Sequence, residues 1–194
     1  MEYQIIRPPA SLAFGDMTRK NLLEYNRWFH SVLPERLRLL SAAVQATSGY
    51  EQWTPDYSPQ SLDGLGQWFS AQVETRLRTR EEIESMRGKG LLEAPQEELT
   101  DRTFSLAADI GMYVSQTFLK NNPSLRWSQQ FGSKRHVDYG QPILVGFNFG
   151  TFNPVCTMVT LAYAFSRKSR TGDRLREIYD KLSKNTLKEM RPPS

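Results

Sequence analysis

The sequence predicts an α+β protein dominated by helix, with several packed helices and a small antiparallel sheet or hairpin around residues 125–150. Three observations carry that reading. Apolar residues recur at helical spacing along most of the chain, as in Leu22, Leu23, Tyr25, Trp28, Phe29 and Val32. Two β-favouring runs, LRWSQQF and QPILVGFNF, follow one another late in the chain. Capping residues, glycines and prolines mark helix starts and stops between them.

Residues 3–7, YQIIR, read as a short strand stopped by Pro8-Pro9. Asp16 or Thr18 caps the first helix. Pro34 fits the first turn of a second helix, PERLRLLSAAVQAT, with Ser31 as its cap and an end near Ser48-Gly49. Residues 49–60 break periodicity, and Trp53 and Tyr57 are expected to pin that loop to the core. Ser61 caps a helix expected to cover SLDGLGQWFSAQVETRLR. Its Gly64 and Gly66 lower helix propensity, which close packing against a neighbour would compensate. Residues 80–99 read as a short exposed helix and a loop.

Thr100 begins a central helix, TDRTFSLAADIGMYVSQTFLKN, stopped by Asn121-Asn122-Pro123. The two extended runs follow, joined by the turn-bearing RHVDYG. Asn153-Pro154 then restarts a helix, with a cap followed by proline at the first position. After a turn at Ser169–Gly172, a basic amphipathic helix is expected at about 172–190, with Leu175, Ile178, Tyr179, Leu182 and Leu187 on its core side.

At 194 residues the chain suits one globular domain spanning 1–194. Its 4 Trp, 8 Tyr and 10 Phe exclude a disordered composition, because such residues supply the burial that offsets chain entropy. No apolar run approaches the roughly 18–20 residues that span a bilayer. The N-terminus lacks a basic and then apolar leader, and the single cysteine, Cys156, fits a reducing compartment. A cytoplasmic protein without membrane attachment is the expectation. Nine basic residues face four acidic ones from Ser166 to Ser194, so the net charge of +4 belongs to the tail and the body is near neutral.

Chemical motifs are sparse. The two histidines, His30 and His136, and Cys156 lack metal-ligand spacing, and no zinc, phosphate-loop or nucleophile-elbow pattern occurs. No metal or cofactor is expected. His136 and Asp138 sit two residues apart, which suits a base and its orienter and equally suits two residues on one face of a strand. The most informative polar residue is Asp109, in AADIGMYVSQ. At 100° per residue, Leu106, Ile110, Tyr113, Val114 and Thr117 form one apolar arc. Ala108, Gly111 and Ser115 lie on a nearly opposite arc of small residues, so this helix is expected to pack on two sides. Arg102, Asp109 and Gln116 form a polar seam at the edge. A buried carboxylate needs a partner, and Arg126 is the expected cation because Arg102 is two turns away.

The phrases MTRKNLLEYNRWFHSVLPERLRLL, DYSPQSLDGLGQWF, LAADIGMYVSQTFLKNNPSLRW and QPILVGFNFGTFNPV, in that order, resemble a group of small uncharacterised bacterial cytoplasmic proteins with no assigned activity. The resemblance spans roughly residues 17–160 and implies a similar architecture, with no catalytic residue to transfer. Those proteins often carry an acidic residue after a glycine near positions 114–116, where this chain has Val114, Ser115 and Gln116.

The functional expectation is a non-enzymatic protein-binding protein, most concretely an immunity protein that neutralises a toxin encoded nearby. Trp53, Tyr57, Trp127 and Tyr139 are its candidate interface anchors, as aromatics in irregular segments. Two alternatives stay open: an enzyme whose site is assembled from Asp109, Arg126, His136 and Asp138, and a nucleic-acid binder using the basic tail.

Overall fold

A computed structural model describes residues 3–88, 90, 93–148 and 150–186. The architecture is the predicted helix-dominated α+β class, with six α-helices and two small antiparallel sheets among the described residues. The helices are α1 (Arg19–Gln45), α2 (Ser61–Gln72), α3 (Arg80–Gly88), α4 (Asp101–Asn121), α5 (Pro154–Ser166) and α6 (Arg174–Ser183). Strands β1 (Thr75–Leu77) and β2 (Glu97–Leu99) form one sheet. Strands β3 (Arg126–Gln129), β4 (Pro142–Phe147) and β5 (Gly150–Phe152) form the other. Among the described residues no helix is long and apolar enough to cross a membrane.

Helix α4 is the axis of the core and packs against α1, α2, α5 and α6. Both sides of it are buried, as its two arcs predict. On the small-residue side, a Cβ on Gly111 would lie 3.0 Å from the Val155 backbone, so glycine sets how closely the start of α5 approaches. At its far end, Phe118 meets Phe147 and Phe152 of the three-stranded sheet and Tyr179 of α6. Gly66 plays the same part in α2. A Cβ there would overlap the Gly172 carbonyl oxygen, which lets α2 and the start of α6 meet backbone to backbone.

Several boundaries differ from those expected. Residues 19–45 form one helix, capped by Thr18 Oγ1, with Pro34 inside it. A mid-helix proline costs roughly 3 kcal/mol. Phe29, Leu37, Leu40 and Val44 are all buried on the same stripe across Pro34, and burial of such side chains contributes about 1.5–3 kcal/mol each, so packing wins. Helix α2 stops at Gln72, six residues early. Arg102 donates to the Gln72 carbonyl at 3.2 Å, and Thr103 Oγ1 accepts from the Glu74 amide at 2.9 Å, so the start of α4 draws the chain out of the helix. The released residues pair as β1 with β2, in the register Arg76↔Glu98, a sheet that local pattern does not reveal.

The hairpin β3–β4 appears where expected, in the register Trp127↔Leu144, and β5 adds a third strand. Helix α6 ends at Ser183 rather than near 190. Asn185 accepts the Asn148 amide at 2.7 Å, which turns the chain back towards the sheet. The expected core residue Leu187 and the rest of 187–194 lie outside the described residues. Residues 3–7 are no strand. They form an extended arm laid over α1 and α4 and held by side chains instead of a sheet ladder.

Candidate functional site

Asp109 is 0 % exposed on α4. Arg36 of α1 grips it with both faces of the guanidinium fork, Nε to Oδ1 at 2.8 Å and Nη2 to Oδ2 at 2.6 Å. The Tyr3 hydroxyl donates to Oδ2 from the arm. The third Arg36 donor, Nη1, reaches the Gln4 carbonyl at 2.8 Å, and the Ile6 amide donates to Ser105 Oγ at 2.9 Å. Burial pushes the Asp109 carboxyl above its usual range, and the hydrogen bonds from Arg36 and Tyr3 pull it back. Burial, followed by the Asp109 charge, pushes the Tyr3 phenol up, so it stays protonated and donates. The cluster spends its hydrogen-bonding capacity on joining three segments, which is what a buried ion pair requires to be tolerated.

The cation is therefore Arg36 and not Arg126. Arg126 is exposed on β3, where it pairs with Val145. A sequence signal for Arg36 exists: it lies seven residues after Phe29 and four before Leu40, on the buried stripe of α1. Its neighbour Arg38, nearly identical in local context, points outward to Glu35. Arg102 turns out to cap α2.

The candidate interface aromatics are mostly structural. Trp53 is buried, its indole Nε1 donating to the Ser61 carbonyl at 2.9 Å and its ring tilted on Tyr113. Tyr139 is buried under the hairpin, edge-on to Phe131. Both are corrected as exposed anchors, because an aromatic in a loop next to a helical core lowers the free energy more by entering the core than by facing water. Tyr57 is half-buried on Tyr113, at a positive φ of 56° held by the Tyr113 hydroxyl on its amide and Asn121 on its carbonyl. Trp127 is half-buried, edge-on to Phe29 and His30. His30 is thus packed, and burial holds its imidazole below the usual range. Cys156 is half-buried with its thiol pushed up by burial, which disfavours the reactive thiolate.

Of the polar residues expected to assemble an enzyme site, only His136 and Asp138 are joined by a contact described. Asp109 is held by Arg36 and Tyr3, while Arg126 faces solvent. His136 and Asp138 share the connection between β3 and β4, where His136 Nδ1 accepts the Asp138 amide at 3.1 Å. Asp138 turns inward, and its Oδ1 accepts from Asn153 Nδ2 at 2.8 Å. Among the described residues no three His, Cys, Asp or Glu converge as a metal site. Of the seven tail cations described, Arg174 pairs with Glu177 and Arg176 with Asp180 and Asp63, while Arg167, Lys168, Arg170, Lys181 and Lys184 form no ion pair among the described residues. Lys188 and Arg191 lie outside the described residues.

What remains is the connection itself, residues 130–141. Asn153 fixes it from below. Its Oδ1 caps α5 through the Cys156 amide at 3.0 Å, while its Nδ2 reaches Asp138 and Gln141 Oε1. Gln141 Nε2 holds the Val137 carbonyl at 2.7 Å. Gln129 Nε2 bridges the Leu22 and Gly140 carbonyls. Gly140 has φ 72°, and a Cβ there would overlap the Leu22 side chain, so only glycine closes the loop onto α1. On this base Val137 stands 72 % exposed. Lys134, Arg135 and His136 beside it are also exposed, and the Lys134 and Arg135 side chains have no partner among the described residues. Arg19 adds a cation close by, 4.3 Å above the Phe131 ring. An apolar residue ringed by cations, on a backbone fixed before any encounter, is suited to contact an acidic surface with an apolar socket.

The chain matches no protein-family model, no curated protein and no solved structure.

Proposed function

We propose that the protein acts by binding another protein, most concretely as a bacterial immunity protein that neutralises a cognate toxin. The observation that supports this is the pinned loop 132–137, with Val137 held out among Lys134, Arg135 and His136. Preorganised backbone lowers the entropy lost on association, and unpaired cations around an apolar tip favour an acidic partner. A toxin that binds nucleic acid through a basic surface fits this loop poorly. The Asp109 cluster contributes rigidity to the platform and takes no part in contact.

The experiment is co-expression with the products of neighbouring genes, read as rescue of growth and as a complex on size-exclusion chromatography. The double variant Val137→Asp/Arg135→Glu is expected to abolish both while its melting temperature stays that of the unaltered protein. Rescue by the double variant at full strength would remove the loop from the interface. Absence of both complex and rescue with every neighbouring product would overturn the immunity reading.

A further inference from the structure

We propose that the apolar cavity beside the N-terminal arm is a binding site for a single-chain carboxylate amphiphile of the fatty-acid class, with the chain in the cavity and the carboxylate on Arg7. The site shares no lining residue with loop 132–137 and goes beyond the protein-binding reading. Its volume is about 530 Å³, within the ~300–1,000 Å³ typical of small-molecule sites. Met112 and Ala108 of α4 and Val155 and Val159 of α5 line it on one side, and Trp28 of α1 on another. The arm closes it through Ile5, Pro8 and Leu12.

The arm does not fill the space that it borders. Ile5 is 41 % and Leu12 53 % exposed, so apolar surface of the arm stays in contact with water, Ile5 on a stretch held at Tyr3 and Ile6. Tyr3 is anchored on Asp109 and the Ile6 amide on Ser105, which prevents the arm from collapsing inwards. Water in such a cavity finds few hydrogen-bonding partners, and an alkyl chain replaces it favourably.

The rim supplies the sign of the head group. Arg7 lines this cavity and the neighbouring one of about 680 Å³. Its guanidinium has no hydrogen bond or ion pair among the described residues, and its fork matches a carboxylate. Asp101, also on the rim, lies in the first turn of α4, where the helix N-terminus favours its negative charge. The neighbouring cavity is less suited to a chain, because Gln4, Ser31, Glu35 and Arg36 line it.

The test is calorimetric titration of the full chain with saturated fatty acids from octanoate to palmitate, each below its micellar concentration. Affinity is expected to rise about fourfold per methylene until the cavity is full and then to level off. Dodecanoate should bind at least tenfold more weakly to Ala108→Phe, which fills the cavity. Arg7→Gln should weaken dodecanoate several-fold and leave methyl dodecanoate unchanged. With methyl-labelled methionine, the Met112 resonance of the unaltered protein should move on dodecanoate binding while that of Met158, buried elsewhere, stays. No heat and no Met112 shift with any chain length would overturn the proposal. So would binding that is indifferent to both the cavity-filling variant and the head-group charge.

Discussion

Arg36 and Asp109 face each other across 73 residues of chain, with two hydrogen bonds of 2.8 and 2.6 Å between the guanidinium and the carboxylate. Both side chains are almost fully withdrawn from water, Arg36 at 4 % and Asp109 at 0 % exposed. Tyr3 closes the remaining approach. The pair fastens α1 to α4, and its third partner fastens the arm to both.

Removing the cation should leave a buried, uncompensated carboxylate. Arg36→Met is expected to cost about 3–5 kcal/mol at neutral pH. The sign of its pH dependence follows from Asp109. Burial already raises this carboxyl above its unfolded value, and loss of Arg36 raises it further. Between the two values the folded chain binds more protons than the unfolded one, so stability falls as pH rises through that window. The deficit of Arg36→Met relative to the unaltered protein should be largest at pH 7 and shrink towards pH 4. Adding Asp109→Leu should recover most of it. Urea unfolding at several pH values checks both, and a deficit that grows on acidification would contradict the assignment.

His30 titrates in the opposite sense. Burial among Phe29 and Trp127 lowers its pKa in the folded state. Below the ordinary value of about 6.5 the unfolded chain takes up the proton first, so this group's contribution is full above that pH and declines as pH falls. His30→Gln should flatten the acid side of the stability profile between pH 7 and 5. A profile of unchanged slope, measured by denaturant midpoint, would show that His30 is not the group responsible.

Two helical glycines should respond oppositely to alanine. Alanine gains up to about 1 kcal/mol of helix propensity over glycine. At Gly88 nothing lies within 4 Å of the added methyl, so Gly88→Ala should stabilise by about 0.5 kcal/mol or leave stability unchanged. At Gly66 the methyl meets backbone of Gly172, which cannot yield as a flexible side chain would. Gly66→Ala should destabilise by about 1–3 kcal/mol. Thermal unfolding of the two variants side by side decides it.

Much of the helical layout is legible locally because caps and periodicity act within one turn. Thr18 and Asn153 cap the helices they were expected to cap, Thr100 caps the helix it was expected to begin, and Ser61, expected as a cap, is instead the first residue of α2. Gly66 and Gly111 signal close approach, and both sit where a methyl would meet another backbone. Pro34 misleads for a physical reason: its cost is local, and the burial that outweighs it is spread along the whole of α1. The early end of α2 misleads for the converse reason, since the groups that end it belong to α4, about thirty residues on.

By itself the sequence determined the helix-dominated α+β class, the central two-sided helix, the hairpin and the need of Asp109 for a partner. Tertiary structure alone decided that the partner is Arg36, that Tyr139 is core while Val137 is surface, and that residues 3–7 lie across the helices instead of entering a sheet. Helix class and spacing follow from interactions a few residues apart, which the chain displays in order. Ion-pair partners and exposure follow from which faces meet after folding, and residues as alike as Arg36 and Arg38 part company only there.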